Sequence, residues 1–113
     1  MLSITFSFKN IFFRDKKFLE DYFPKKMERF ENLLRRFRGA ECRLEIRAER
    51  FATKSAYMVE LVLHIPRHKL MAREDDHTIV EALDLAVDKM IIRLRKLVNK
   101  NRKKAGIEND LGD

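Results

Sequence analysis

The strongest constraint on the fold is a strict alternation of apolar and charged residues over residues 40–48, AECRLEIRA. A period of two places successive side chains on opposite faces of a β-strand, so this stretch predicts a strand with one buried and one solvated face. Arg43 and Arg47 fall on the solvated face. The side chains predicted to face the core are Cys42, Leu44, Ile46 and Ala48.

The same period of two recurs in three other stretches of the chain. LSITFSF alternates at the beginning of the sequence, and AYMVELVLHI and KLMARE alternate after residue 55. The tripeptide PRH separates the last two stretches and predicts a tight turn between them. We therefore expect one strand at the beginning of the chain and, later, three consecutive strands in an antiparallel meander.

A helical period separates the first strand from the meander, in RDKKFLEDYFPKKMERFENLLRRF. Asp15 is the expected N-cap, and Gly39 is placed to end the helix. Pro24 removes an amide donor, so we expect a kink there or a main helix that begins at Pro24. The predicted apolar stripe comprises Phe18, Tyr22, Met27, Phe30, Leu33, Leu34 and Phe37.

A second helix is predicted from about Thr78 to past Lys100. Thr78 followed by Glu81 is a capping-box pattern at its beginning. Ile92 falls outside the apolar stripe and is expected to be exposed beside Leu85, while the Ile91-Ile92 pair has no evident role. The stripe itself comprises Ile79, Leu83, Ala86, Val87, Met90, Leu94 and Leu97.

The element order β-α-β-β-β-α predicts an α+β fold. Both helices would bury their stripes against one face of a four-stranded mixed sheet, and the first crossover would make the first two strands parallel. Residues 1–104 would form one domain. The last residues, 105–113 (AGIENDLGD), are too polar to fold alone and are expected to be a disordered tail.

The formal net charge of +7 on 113 residues favours a polyanionic partner: RNA, DNA or an anionic membrane. No apolar run approaches the roughly 18 residues that a membrane span requires. No secretory signal is evident, so a cytoplasmic protein is expected. The single cysteine, Cys42, is predicted to be a small core residue.

Catalytic arrangements are sparse in this sequence. The three histidines, His64, His68 and His77, have no carboxylate or thiol clearly arranged with them, and acids at 74–76 precede a helix, where the helix dipole favours negative charge. No glycine-rich phosphate loop or nucleophile motif is present. We expect no catalysis, no metal and no cofactor.

Charge segregation in the last helix is more informative. Every charged residue from Lys89 to Lys104 is basic, whereas residues 74–88 contain acids and no Lys or Arg. Lys89, Arg93, Lys96, Lys100 and Lys104 share one stripe of about 22 Å. A solvated face usually mixes both signs, so phosphate contact is favoured over a solvated face or a membrane surface.

The first helix adds a second basic cluster, diluted by acids and, at its end, equally explained by the helix dipole. The outer face of the sheet lacks aromatic residues for stacking bases, so recognition by shape and phosphate is expected. The basic residues of the first helix are Lys25, Lys26, Arg29, Arg35, Arg36 and Arg38.

Several segments together resemble the ribosome hibernation promoting factor / ribosome-associated inhibitor family (short form), also called the sigma-54 modulation protein family. YFPKKMERFENLL resembles the family's first helix, VELVLHIPRHKLMARE its paired strands, and IVEALDLAVDKMIIRLRK its second helix. The sequence departs from the family at Pro24, at Ile91-Ile92 and in the PRHK turn. The resemblance covers roughly residues 2 to 100.

This resemblance implies a fold similar to double-stranded-RNA-binding domains. It also implies binding to the small ribosomal subunit and its 16S rRNA in the tRNA/mRNA channel (A and P sites). Translation would be blocked and idle ribosomes preserved under stress or in stationary phase. The partner would be neither DNA nor a membrane, and the protein would be a monomer. The implied RNA-binding residues are Lys89, Arg93, Arg95, Lys96, Lys100, Lys25, Lys26, Arg29, Arg43 and Arg47.

Two alternatives stay open at the level of sequence. One is a generic double-stranded RNA-binding module. The other is a basic protein-interaction or membrane-surface adaptor that would use Leu85, Ile92 and the basic end of the last helix. The sequence also leaves open whether the protein promotes or opposes ribosome dimers.

Overall fold

The computed structural model describes residues 2–37 and 40–110, with side chains described as far as residue 100. Two 3₁₀ turns, Phe23–Lys26 and Leu34–Phe37, follow the first and second helices. Together with these helices they make up the first helical segment, residues 13–37. The elements in chain order are β1 (Leu2–Lys9), α1 (Phe13–Tyr22), α2 (Met27–Leu33), β2 (Cys42–Arg50), β3 (Tyr57–Ile65), β4 (His68–Asp76) and α3 (Ile79–Asp110).

The sheet confirms the predicted α+β topology. Its strand order is β1-β2-β3-β4, with β1 parallel to β2 and the other two pairings antiparallel. The register places Leu44 beside Leu63, and Leu61 beside Ala72, on one face. Since these residues are buried and their strand neighbours Arg43 and Arg47 are exposed, the helices cover one face only.

The first helical segment covers the β1 side of that face, and α3 lies over β3 and β4. Phe23 is fully buried, with its ring 6.3 Å from that of Phe6 in β1 and 6.1 Å from that of Phe30 in α2. A buried aromatic of this kind contributes a large share of the apolar area that drives folding. These rings anchor the first helical segment to the sheet.

The break expected at Pro24 is present. Pro24 lies in the 3₁₀ turn that separates α1 from α2, where its missing amide interrupts α-helical hydrogen bonding. The predicted stripe is wrong before this break, because Leu19 and Phe23 are fully buried while Phe18 is 37% exposed. The break rotates the two halves relative to each other, so one continuous helical period could not place both correctly.

The N-cap prediction for Asp15 is wrong. The helix begins earlier, with extended Phe12 in the cap position and the Phe12 carbonyl accepting from the Asp15 amide at 2.9 Å. Asp15 lies in the first turn, where its negative charge still complements the helix dipole. Gly39, the predicted helix stop, lies outside the described residues.

At the beginning of α3 the capping prediction is confirmed in part. The Thr78 Oγ1 accepts from the Glu81 amide at 3.1 Å. Ile92 and Leu85 are exposed, as expected. Ile91, however, is only 1% exposed and belongs to the core, because the first helical segment covers a second side of α3.

The β3–β4 connection is the predicted tight turn. Ile65 pairs with His68, so the connection consists of Pro66 and Arg67 alone, and Arg67 has φ 67°. A positive φ is unfavourable for a residue with a Cβ atom, and glycine is the usual residue there. Arg67 is exposed, and the turn thus presents a cation at the tip of the hairpin.

At the far end, α3 is assigned as helix through Asp110. The backbone of residues 105–110 is therefore helical, whereas the polar composition of this stretch predicts a disordered tail. Residues 111–113 lie outside the described part of the chain. The division into a domain over 1–104 and a tail over 105–113 stays a prediction.

Candidate nucleic-acid interface

One flank of α3 lies along the free edge of β4 and is basic. Lys89 donates to the carbonyl oxygen of Arg73 at 3.2 Å, and the Arg93 guanidinium donates to the carbonyl oxygen of Met71. Lys89 also pairs with Glu74 at 3.1 Å. Both cations thus satisfy backbone carbonyls of an edge strand, which would otherwise be open to pairing with another chain.

These two contacts define how α3 and β4 run past each other. Four residues along the helix, from Lys89 to Arg93, correspond to two residues backward along the strand, from Arg73 to Met71. The distances agree, because four helical residues rise about 6 Å and two strand residues about 6.6 Å. α3 and β4 are therefore antiparallel, and four residues of the helix cover about the same length as two residues of the strand.

If this alignment of α3 and β4 is extended toward the hairpin, the next cations of α3 lie at the same height along the sheet as the cations of the hairpin. Lys96 and Lys100 are exposed, and so are Lys69 and Arg67. Lys69 and Arg73 are in register with His64 and Glu60, so their side chains start from the outer face of β4, where Arg73 pairs with Asp75 at 3.6 Å. The two sets of cations form a basic ridge that follows the β4 edge, with α3 on one side and the hairpin on the other. We define the basic ridge as Lys89, Arg93, Lys96 and Lys100 of α3 with Arg67, Lys69 and Arg73 of the hairpin.

The α3 part of this ridge is the stripe predicted from the sequence except for Lys104, whose side chain lies outside the described ones. The hairpin part was not predicted. Arg67 and Lys69 are separated from α3 by at least nine residues of chain, and no local pattern connects them. The available signal was the turn sequence PRHK itself, which places cations where a turn more often carries glycine. Their neighbourhood with Lys96 and Lys100 follows only from the antiparallel alignment.

The opposite flank of α3 faces the first helical segment and is occupied by ion pairs. Lys26 pairs with Asp84 at 3.1 Å, and Arg29 pairs with Asp88 at 3.0 Å. The Tyr22 hydroxyl donates to the same Asp84 carboxylate at 3.1 Å. We call this set of contacts the paired flank. It connects the two helical parts of the molecule to each other.

The electrostatics of the paired flank are visible in the pKa of Lys26, which is raised above its ordinary value chiefly by the hydrogen bond to Asp84. Lys26 and Arg29, both predicted RNA-binding residues, are thus held apart from the basic ridge, across α3. Arg95 also lies on this side, two turns after Asp88, and is exposed. Lys25 is exposed, with its Nζ 6.0 Å from the centre of the Tyr22 ring.

On the outer sheet face, Arg47 lies in a charge network. It pairs with Glu60 at 3.2 Å and with Glu45 at 3.6 Å. Glu45 also contacts His64 at 2.8 Å, and this hydrogen bond is the main reason that the pKa of Glu45 is lowered. Arg43 is exposed and has no carboxylate partner within residues 2–37 and 40–100.

The ten predicted site residues thus divide into two groups. Within the part of the chain whose side chains are described, those with a carboxylate or carbonyl partner are Lys89, Arg93, Lys26, Arg29 and Arg47. Those without one are Lys25, Arg43, Arg95, Lys96 and Lys100. Exposed ion pairs are weak, so a partner does not prevent contact with phosphate. The second group is nevertheless available without breaking a hydrogen bond or ion pair among the described side chains.

Other kinds of site are little developed in the described residues. No three His, Cys, Asp or Glu side chains among them come close enough to hold a metal ion. No helix among them is long and apolar enough to cross a membrane. Cys42 is buried, which raises the pKa of its thiol.

The family model described as sigma 54 modulation protein / S30EA ribosomal protein matches residues 4–102. The chain belongs to this family. Membership agrees with the resemblance found in the sequence, and it covers both the basic ridge and the paired flank. No curated protein matches the sequence significantly.

Two solved structures are similar to this chain. The N-terminal domain of Protein Y from Thermus thermophilus is 20% identical with a TM-score of 0.63, covering 84% of this chain and 98% of that one. A ribosomal subunit interface protein from Coxiella burnetii is 17% identical with a TM-score of 0.49, covering 86% of this chain and 97% of that one. The first of these likenesses supports the fold described above.

Proposed function

We propose that this protein is a ribosome hibernation factor. It binds the small ribosomal subunit through 16S rRNA in the tRNA/mRNA channel, at the A and P sites. It thereby blocks translation and preserves inactive ribosomes under stress or in stationary phase. In this proposal the protein acts as a cytoplasmic monomer, without cofactor and without catalysis. Family membership and the basic ridge support it, and the ridge is the observation that carries it.

The ridge suits folded RNA because of its length and its charge. The cations from Lys89 to Lys100 are spread over about 16 Å of helix, a distance over which an RNA backbone presents several phosphates. The hairpin adds a second row, from Arg67 to Arg73, on the outer-face side of the same edge. Two parallel rows of cations recognise the shape and charge of folded RNA, and do not by themselves read base identity.

Within the ridge, the side chains have different roles in this proposal. Lys96 and Lys100 contact phosphate directly, since the described part of the chain offers them no other partner. Lys89 and Arg93 maintain the α3–β4 edge and present their remaining donor hydrogens outward. Arg43, Arg95 and Lys25 contribute on neighbouring faces, while Lys26, Arg29 and Arg47 are the weakest candidates because carboxylates hold them.

The test is co-sedimentation with purified small subunits in a sucrose gradient. The K96E/K100E variant removes cations that have no hydrogen bond or ion pair within the described residues, so its fold should be retained, as circular dichroism can verify. We expect it to lose most of its binding, and we expect wild-type binding to weaken steeply as salt is raised. K89E/R93E would be less informative, because it also disturbs the β4 edge.

The matched control is R14E/K54E, which changes the net charge by the same amount at the other end of the sheet. Both residues are exposed. Binding by this control should stay close to wild type. Equal losses in the two variants would show that total charge, and not the ridge, determines binding. That result would remove the basis of the proposal.

A competition experiment distinguishes the proposed function from the alternative of generic double-stranded RNA binding. An unrelated RNA duplex in excess should displace little of the protein from small subunits if the channel supplies a matching shape. Displacement at equal nucleotide concentration would favour a generic duplex binder. Channel occupancy itself is tested with initiator tRNA and mRNA, which should compete with the protein for the subunit.

A further inference from the structure

Phe18 of α1 points away from the core although its neighbour Leu19 is fully buried. Its ring stacks on that of Tyr22, one turn later, with the centroids 5.1 Å apart and the planes 18° from parallel. Phe18 is 37% exposed. Because Tyr22 occupies one face of the Phe18 ring, the exposed part is the opposite face and the ring edge.

Tyr22, which supports this ring, is fixed from two sides. Its hydroxyl donates to Asp84 of α3 at 3.1 Å. Lys26 pairs with the same carboxylate at 3.1 Å and has its Nζ 5.1 Å from the centre of the Tyr22 ring. The ring pair is therefore held in place before any ligand arrives, which lowers the entropy cost of stacking something on it.

We propose that the exposed face of Phe18 stacks an unpaired nucleobase of RNA and that Lys25, next to Tyr22, neutralises the phosphate of a neighbouring nucleotide. Sites for single-stranded RNA combine an aromatic face with a nearby cation in this way. Phe18, Tyr22 and Lys25 line one shallow depression of about 210 Å³ together with Asp21. The Asp21 carboxylate repels phosphate, so it favours a path of the RNA backbone on the Lys25 side of the depression.

This site lies on the side of the paired flank, across α3 from the basic ridge. It supplies what the ridge lacks, namely a contact with a base instead of with phosphate. The inference rests on the proposed function only in that both require RNA. A lipid surface is disfavoured as the occupant, because Phe13, which is 78% exposed, would be the natural anchor and lies outside the depression.

The test compares a short oligoadenylate with an abasic oligomer of the same length, by fluorescence anisotropy. Both carry the same phosphates, so their affinity ratio reports the bases alone. Wild type should prefer oligoadenylate by about 5- to 150-fold, the range for stacking one base on an aromatic side chain. F18L, which keeps apolar volume on Tyr22 but removes the ring, should bring the ratio close to one. F18Y should keep the preference.

F13A is the matched control on the same helix, since it removes a more exposed phenylalanine outside the depression. It should leave the ratio unchanged, and K25Q should weaken both oligomers equally. The inference is overturned if wild type binds both oligomers alike, or if F18L keeps the preference while folded by circular dichroism. Sedimentation of the same variants with small subunits is measured in a separate experiment. If the protein still sediments with small subunits but shows no base preference, only this stacking site is contradicted. If it prefers oligoadenylate but does not sediment with small subunits, only the proposed function is contradicted.

Discussion

The two flanks of α3 both carry basic side chains, but these side chains have different roles. On the paired flank, acids of α3 hold cations of the first helical segment, as Asp84 holds Lys26 and Asp88 holds Arg29. On the β4 flank, α3 itself supplies the cations, and those nearest its C-terminal half have no carboxylate partner within the described residues. The named cations of the paired flank therefore have acid partners, whereas Lys96 and Lys100 of the β4 flank have none within the described residues.

The difference shows that a cation count does not locate a binding surface. Lys26 and Lys96 look alike in the sequence, each in a basic cluster on a helix. Of the two, only Lys26 has an acid partner within the described residues, because α3 brings Asp84 to it across 58 residues of chain. The acids of α3 that pair with the first helical segment, Asp84 and Asp88, lie in its N-terminal half, and further along the same flank Arg36 donates to the carbonyl oxygen of Val98 at 2.8 Å.

The largest effect should come from the packing beneath the paired flank. Ile91 is 1% exposed and Ile92 is 53% exposed. I91A should lower the free energy of unfolding by about 2–5 kcal/mol, because it removes buried volume between α3 and its neighbours. I92A should change it by less than about 0.5 kcal/mol. Urea unfolding of the pair measures both values, and equal effects would show that α3 is packed on one side only.

A smaller effect is expected from the ion pairs of the paired flank. D84A removes the partner of both Lys26 and Tyr22 and should lower the free energy of unfolding by about 1 kcal/mol, since both side chains are partly exposed. D84N, which leaves an acceptor for the Tyr22 hydroxyl, should cost less. Thermal or urea unfolding of the two variants separates the charge from the hydrogen bond.

The pH dependence of the D84A effect follows from the raised pKa of Lys26. A lysine with a raised folded-state pKa contributes stability that is fully present below its ordinary value of 10.5 and is lost as the pH rises through the folded value. The stability difference between wild type and D84A should therefore be constant near neutral pH and narrow in alkaline solution beyond 10.5. A difference that narrows on acidification to pH about 6 would contradict this assignment.

The smallest effect concerns Glu81 of α3, which pairs with no Lys or Arg among the residues whose side chains are described. Glu81 faces Asp76, and their hydrogen bond is the main reason that the pKa of Glu81 is raised. A raised carboxyl pKa means that its contribution to stability is present below the ordinary value of 4.5 and lost as the pH rises through the folded value. E81Q should therefore be more stable than wild type at neutral pH, and the gain should vanish below pH 4.5. Urea unfolding at both pH values measures it, and a loss at neutral pH would contradict the like-charge contact.

Much of the fold could be predicted from the sequence because local periods identify the elements. The alternation in the four strands, the capping pattern at Thr78 and the break at Pro24 all depend on neighbouring residues. The Phe18 prediction was wrong because the turn at Pro24 changes the helical phase. Ile91 was missed because its burial depends on the first helical segment, which lies far away in the chain.

The candidate site was predicted unevenly for the same reason. The α3 stripe from Lys89 to Lys100 follows from helical spacing alone. That Lys26 and Arg29 are held by acids, and that Arg67 and Lys69 join the stripe, depends on how α3 aligns with its neighbours. Local patterns identify which face of a helix is basic, whereas tertiary contacts decide which cations are already occupied.

The most direct test of the difference between the flanks is the salt dependence of small-subunit binding for two double variants. K96Q/K100Q and K26Q/R29Q each remove two charges. The first pair lies on the β4 flank and the second on the paired flank. Each lost phosphate contact lowers the slope of log affinity against log salt by about 0.7 to 0.9. We expect K96Q/K100Q to lower the slope by between about 1 and 2, and K26Q/R29Q to leave it at the wild-type value. Equal reductions in both variants, or a reduction in K26Q/R29Q alone, would contradict the assignment of RNA binding to the β4 flank.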